Sequence, residues 1–392
     1  MDGKVVSPVS ALPCFLEDCL GCSRTDTGHS QRPHPEDIVE TGFEVGVTGY
    51  VRVNAFFDVQ GMRSTEGFRP IEIPVEGERS GDFRGIYLGA RQSRIGVEST
   101  IGTKIGRLRT YIEGDFVGPG GQFTFRLRHA FGQAGYWTVG QTWSTAMDLE
   151  ALPKTVDFEG PNSAVLVRQG LIRFERRYAD HYIWGAGAEN PKPEITYTVD
   201  SVVTSDRQTN FDVTTRFKYV RPRGHVQLSG IFRFIGYTNL SLQKEYVYGG
   251  GGVLSARINT HPHGKLLAQG IWGLGISRYI NGLAGSGLDG VLLPDGEFKL
   301  FEVFGWYLSY QWDWNSSGTV NSTAVVGNTT ILNGEDMPPN FYHNGNYGTF
   351  DAFWRILRSF EVGAGVTVGR RVNNDGDSGE AMRIGAIGKF TF

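Results

Sequence analysis

Residues 104–131 set the pattern that the rest of the chain repeats. On either side of Gly118-Pro119-Gly120-Gly121 the chain alternates in polarity residue by residue. Leu108, Thr110, Ile112, Gly114 and Phe116 share one face, and Arg107, Arg109, Tyr111, Glu113 and Asp115 share the other. After the turn, Phe123, Phe125 and Leu127 take the apolar face while Arg126 and Arg128 take the charged one. A period of two belongs to a β-strand whose two faces meet different surroundings. The same alternation runs from residue 43, with Phe43, Val45, Val47, Val51, Val53, Ala55 and Phe57 opposite Glu44, Thr48, Tyr50, Arg52, Asn54 and Asp58. Two architectures satisfy such strands. A soluble sandwich buries the apolar face, whereas a transmembrane barrel turns it to lipid and points the charges into a watery interior.

Connection lengths favour the barrel. Short turns are predicted near 101–104, 132–135, 178–181, 221–224, 260–264, 315–318 and 358–359, with long connections between them near 60–84, 144–163, 190–208, 237–247, 280–297, 331–346 and 372–380. Only 118–121 is short where a long one is due. Alternating short and long loops is the pattern of an up-and-down barrel with two unlike ends. Counting 319–330 as a strand on Val320, Ala324 and Val326 gives about sixteen. Without it the 331–346 connection falls at the wrong end. The expected fold is therefore an all-β, transmembrane, antiparallel β-barrel over 42–392, behind a flexible leader over 1–41 rich in Pro, Ser, Asp and Thr. Its lipid-facing band should include Val51, Val53, Ile112, Phe125, Val213, Phe217, Leu228, Phe232, Ala386 and Phe390. Trp312, Trp314, Tyr279 and Phe392 sit at predicted strand ends, where an aromatic belt would lie.

Composition narrows the function. Glycine supplies 55 of 392 residues, roughly twice the usual share of about 7%, which disfavours helix. No apolar run approaches the ~18–20 residues of a spanning helix. Lys plus Arg is 38 against 41 Asp plus Glu, a net charge of −3, so no overall field recruits nucleic acid. Residues 1–25 contain no charged segment followed by an apolar stretch, and thus no visible secretory signal. Cys14, Cys19 and Cys22 all fall in the leader, and His29 and His34 lie in a Pro-rich polar stretch, so neither a metal site nor a cofactor is expected. There is no G-x-S-x-G elbow, H-E-x-x-H or P-loop. His261 and His263 sit in a turn, and Gly249–Gly252 precede a strand rather than a helix. The chain reads as lacking catalytic residues, and so as no enzyme.

Candidate chemistry comes from sorting of charge. With the apolar faces outward, Arg52, Arg94, Arg107, Arg109, Arg126, Arg128, Arg173, Arg216, Lys218 and Arg233 point inward, together with Glu44, Asp58, Glu98, Glu113, Asp115, Glu175 and Asp212. Register about 118–121 predicts Arg126 opposite Glu113, with Arg109 and Arg128 on the same wall. A guanidinium stays charged and offers a planar fork that matches carboxylates. The same arginines could equally serve only to solvate a wide lumen.

Several segments resemble the DcaP-like porins of Gram-negative outer membranes: Arg91-Gln92-Ser93-Arg94-Ile95-Gly96, Gly114-Asp115-Phe116, Arg126-Leu127-Arg128-His129-Ala130, Gly140-Gln141-Thr142-Trp143-Ser144 with Met147-Asp148, Phe158-Glu159-Gly160-Pro161, Arg168-Gln169, Gly275-Ile276-Ser277-Arg278-Tyr279-Ile280 and Tyr310-Gln311. They occur in the expected order over roughly 45–392. The closing strand Met382, Ile384, Ala386, Gly388, Phe390, Phe392 resembles the terminal signal by which such barrels are recognised for assembly. The resemblance implies an outer-membrane location and a sixteen-stranded homotrimer in contact with outer-membrane lipid. It further implies passive diffusion of small anionic solutes such as dicarboxylates. It also implies that the third external loop, 144–163, folds inward as a constriction, with Asp148, Glu150, Asp157 and Glu159 facing the arginine wall. Opposed charges there would create a transverse field. A coiled-coil segment of the kind often found in the family is not visible in 1–41. Two other readings of the residues stay open: a soluble secreted all-β carbohydrate-binding or hydrolytic protein, and a barrel acting only as adhesin or anchor.

Overall fold

Alternation becomes geometry in the computed structural model, which describes residues 43–78, 84–103, 106–118, 123–197, 208–334 and 337–392. The predicted leader lies outside them. The strands are β1 (Phe43–Gln60), β2 (Gly85–Gly89), β3 (Arg94–Thr103), β4 (Gly106–Val117), β5 (Phe123–Ala134), β6 (Trp137–Trp143), β7 (Arg168–Tyr178), β8 (Tyr182–Glu189), β9 (Ile195–Tyr197) and β10 (Asp212–Arg221). They continue with β11 (Gly224–Thr238), β12 (Lys244–His261), β13 (Gly264–Leu274), β14 (Gly290–Leu292), β15 (Phe298–Leu300), β16 (Glu302–Asp313), β17 (Val320–Ile331), β18 (Tyr342–Leu357), β19 (Phe360–Asn373) and β20 (Ser378–Thr391). Seventeen strands form one sheet, and β2 and β3 both pair with β1 as two halves of one stave, which leaves a ring of sixteen. β1 and β20 close it in antiparallel register, Tyr50 opposite Thr391. Closure joins the first and last strands and so removes the free sheet edges that a lipid environment could not satisfy.

The apolar faces point outward as expected. Val51, Val53, Ile112, Phe125, Val213, Phe217, Leu228, Phe232, Ala386 and Phe390 are all exposed on the outer wall, while Tyr50, Arg52, Asn54 and Asp58 are buried inside. The 319–330 segment is a full strand, paired along its length with β16 and β18.

Three local expectations are corrected. The connection predicted over 237–247 spans only 239–243, because the Asn239 side chain accepts from the Ser241 and Gln243 amides and closes a tight turn. That predicted over 372–380 shrinks to 374–377, where Gly376 takes a positive φ of 89° open to glycine. Arg126 faces Asp115 rather than Glu113, since a bulge inserts Arg128 between Glu113↔His129 and Gly114↔Leu127. A bulge re-aims side chains and here lets Arg128 and His129 both point inward.

The connections at the long-loop end do not stay outside. Numbering them in order, loop 1 is 61–84, loop 3 is 144–167, loop 4 is 190–211 and loop 6 is 275–301. Loops 4 and 6 share a small sheet in which β14 pairs parallel to β9 and antiparallel to β15. Loops 3 and 6 bury Met147, Val165, Ile276, Tyr279, Ile280, Leu288 and Val291 against Ile231, Val253, Ile271, Val303 and Ile331 of the inner wall. These inward apolar residues stand among buried polar ones such as Gln227, Ser229, Ser255, Gln269 and Ser309, and loops 3 and 6 cover this side of the wall.

Candidate functional site: a divided lumen

β6 stops after seven residues, so loop 3 leaves the wall inside the barrel. Its first anchor is Asp148, which accepts from Lys218 Nζ at 3.0 Å, His225 Nε2 at 2.7 Å and Ser255 Oγ at 2.7 Å. Glu150 lies 3.4 Å from both Lys218 and His225. Burial opposes ionisation of Asp148, but His225, Lys218 and Ser255 together hold its carboxyl well below the usual range. At the other end Lys154 Nζ donates to Glu361 at 2.7 Å and Arg52 Nη2 to the Val156 carbonyl at 2.6 Å. β10 is the eighth stave of the ring and β19 the fifteenth, so the loop crosses the lumen between nearly opposite walls. Tyr307 supports it midway through the Ala151 carbonyl.

Of the expected wall, Arg126 and Arg128 on β5 meet Arg52 of β1 and Arg94 of β3, and carboxylates of β4 are mixed among them. Arg126 donates two bonds to Asp115, at 2.9 and 2.7 Å. Arg128 donates to Glu113 at 2.9 Å and to Asp115 at 2.8 Å, and Arg94 lies 3.8 Å from Glu113. Arg52 bonds neutral oxygens, those of Asn54 and Val156. What loop 3 brings to this wall is the Phe158 ring rather than a carboxylate: Arg52, Arg94 and Arg128 stand 5.6, 5.3 and 5.6 Å from its centroid. Such contacts suit a ring whose faces are electron-rich. The loop carboxylates turn elsewhere. Asp148 and Glu150 meet Lys218 and His225 on the far wall; Glu159 accepts from Asn281 Nδ2 at 2.9 Å; Asp157 accepts from the Phe68 amide of loop 1 at 3.1 Å. Burial, reinforced by the Glu159 charge, pushes Asp157 up to about 7.

The remaining predicted residues spread over the lumen. Arg109 pairs with Glu98, and Arg216 with Glu175. Arg233 is sealed between Asp212 at 3.0 Å and Asp289 of loop 6 at 2.7 Å. Arg173 donates to the Trp143 carbonyl at 3.3 Å. Arg107 is exposed at the short-turn mouth, apart from the cluster. Tyr279 does not join a belt; it is fully buried in loop 6, donating to Asp212 and accepting from Gln169, both at 3.1 Å.

Sequence reasoning missed the partners that loop folding supplies. Arg383 bonds Asp58 at 2.6 and 2.9 Å, Arg91 bonds Glu66 at 2.9 Å, and Arg278 Nη2 donates to Gln169 at 2.7 Å. Arg278 and Gln169 stood in the motifs quoted for the resemblance, and their role here is to tie loop 6 to the barrel wall. Among the described residues no group of His, Cys, Asp or Glu could hold a metal ion, and no helix is long and apolar enough to cross a membrane.

A closed sixteen-stave ring with an apolar outer band and a lumen crossed by loop 3 defines an outer-membrane channel of the porin class. The model of the DcaP outer membrane protein family matches residues 14–251, more than half of the chain, and the chain belongs to that family. The outer membrane is its location, and family and structural neighbours are channels rather than enzymes. The fold matches the DcaP channel of Acinetobacter baumannii at a TM-score of 0.76 and 18% identity, over 90% of this chain and 98% of that one. An anion-selective porin from Comamonas acidovorans matches at 0.57 and 12%, over 90% and 100%. The trimer form of OmpT from Vibrio cholerae matches at 0.54 and 9%, over 89% and 99%. No curated protein matches the chain.

Proposed function

We propose that the channel is passive, favours small anions and takes dicarboxylates in particular. The observation that carries this reading is the clustering of arginines around Phe158. Arg52, Arg94 and Arg128 gather around that ring, and Arg126 shares Asp115 with Arg128, so four guanidinium groups stand on one stretch of the wall. Guanidinium groups spaced within a Debye length of about 8 Å reinforce one another at physiological salt. Arg126 keeps 39% of its side chain exposed, so its Nη1, which does not bond Asp115, remains accessible to a passing carboxylate. In this reading loop 3 is the constriction beside this wall, held by Asp148, Glu150, Asp157 and Glu159. They act as struts of the loop rather than as the acidic side of a transverse field. A homotrimer fits the trimeric form of the Vibrio cholerae neighbour. Single-channel recording in planar bilayers tests the substrate class. A C4 dicarboxylate should transiently block the current and a C4 diol should not; equal effects of both would refute dicarboxylate recognition.

A further inference from the structure

Near the short-turn end, which in an outer-membrane barrel faces the periplasm, β7, β8 and β10 turn an aromatic surface toward lipid. Tyr178, Tyr182, Trp184 and Phe217 line an open hollow of ≈ 490 Å³. Strand register sets Arg176 beside Trp184 and Trp184 beside Phe217 in one outward row, with Tyr178, Tyr182 and Tyr219 in the next. Arg176 is exposed and stacks on Tyr136 at 5.3 Å and Tyr178 at 5.0 Å. Arg221, also exposed, stacks on Tyr219 at 5.0 Å and donates to His181 Nε2 at 3.3 Å. Two cations therefore flank the hollow at the level where aromatic side chains mark the interface.

These arginines lack the neutralisation seen in the lumen. Among the described residues neither Arg176 nor Arg221 has a carboxylate at ion-pairing distance. Glu175 faces inward to Arg216, and in the turn the Asp180 carbonyl accepts from Arg177. A positive charge on the lipid face is unfavourable unless it reaches the interface or meets an anion. Two strand spacings, about 10 Å, separate β7 from β10, and Arg221 lies about 13 Å further along β10 than the row of Arg176; each guanidinium leans over the row between them, Arg176 on Tyr178 and Arg221 on Tyr219, so the two reach toward one group. We propose that this hollow binds an anionic phospholipid of the periplasmic leaflet, its phosphodiester held by Arg176 and Arg221 and an acyl chain lying along Trp184 and Phe217. The guanidinium fork matches phosphate oxygens, and the rings supply the apolar bed.

Native mass spectrometry of the whole protein in mild detergent, titrated with phosphatidylglycerol or phosphatidylcholine, tests this. The unmodified protein should retain phosphatidylglycerol in preference. Arg176→Gln and Arg221→Gln should each weaken that retention about fivefold, and the double variant should treat the two lipids alike. Equal retention by the unmodified protein, or undiminished phosphatidylglycerol retention by a folded double variant, overturns the proposal. So does a double variant that alters subunit number while keeping its lipid, because the face would then be a contact between copies. Should the double variant not fold, brominated lipids keep the test alive. Brominated phosphatidylglycerol should quench fluorescence more than brominated phosphatidylcholine, a difference lost in Trp184→Phe; equal quenching by the two lipids refutes the site.

Discussion

The two halves of the barrel wall solve the same problem, charged groups in a partly dry interior, in different ways. On β11–β17 loops 3 and 6 pack against inward apolar side chains, so the ions beneath them are sealed: Arg233 is fully buried between Asp212 and Asp289. On β1–β5 the inner face is polar, and Arg52, Arg94 and Arg128 gather around Phe158 beside Arg126. The lesson is that an ion pair in this lumen has one of two uses. Where no water reaches it, the pair fixes loop architecture; where one partner stays accessible, its charge is what the proposed anion preference would use.

The largest effect should come from the sealed side. Asp289→Ala leaves Arg233 short of a partner and also removes the acceptor for the Glu194 and Arg278 amides. Breaking a buried pair costs about 3–5 kcal/mol, so the temperature at which the folded gel band converts to the unfolded one should fall clearly. An unchanged temperature would mean that the β11–β17 side is not sealed.

Asp157 lies at the seam, joining loop 3 to loop 1. Its carboxyl is raised from 3.8 to about 7, so folding favours the protonated form. The sign follows: its stability contribution is full below about pH 4 and is lost as pH rises through about 7. Asp157→Asn should then be neutral in acid and stabilising above neutrality, by at most about 4 kcal/mol at about 1.4 kcal/mol per unit. Melting at pH 4 and pH 8 checks it; a variant less stable at pH 8 would contradict the assignment.

Asp148→Asn weakens the far anchor of loop 3. Glu150 stays 3.4 Å from Lys218 and His225, so the loss should be near 2 kcal/mol, the scale of a charge-assisted hydrogen bond. Because the Asp148 carboxyl is held low, its contribution is present above the unfolded-state value and lost as pH falls. Open-channel current noise should rise at pH 7, and the difference from the unmodified protein should shrink in acid.

The contrast between the halves also explains what could be read without coordinates. Clean alternation such as Leu108–Phe116 exists because one face meets lipid and the other water, so strand count and outward band were legible. Where both faces are apolar, as at Ile231-Phe232 and Val303-Phe304, period two fades and nothing local shows that a loop covers the inner face. Partners separated by long stretches, such as Arg383 with Asp58 or Asp148 with His225, depend on closure and loop insertion that spacing does not encode. The Arg128 bulge likewise moved the expected Arg126 partner by two residues, from Glu113 to Asp115.

The central claim, that the β1–β5 wall carries a usable positive excess, is tested most directly by reversal potential under a salt gradient in planar bilayers. The unmodified protein should prefer anions. Arg126→Gln with Arg128→Gln should move the potential toward cation preference without abolishing conductance, since Glu113 and Asp115 would then lack their main partners. High salt should erode the original preference. Cation preference in the unmodified protein, or a potential that does not move in the double variant, would contradict the account.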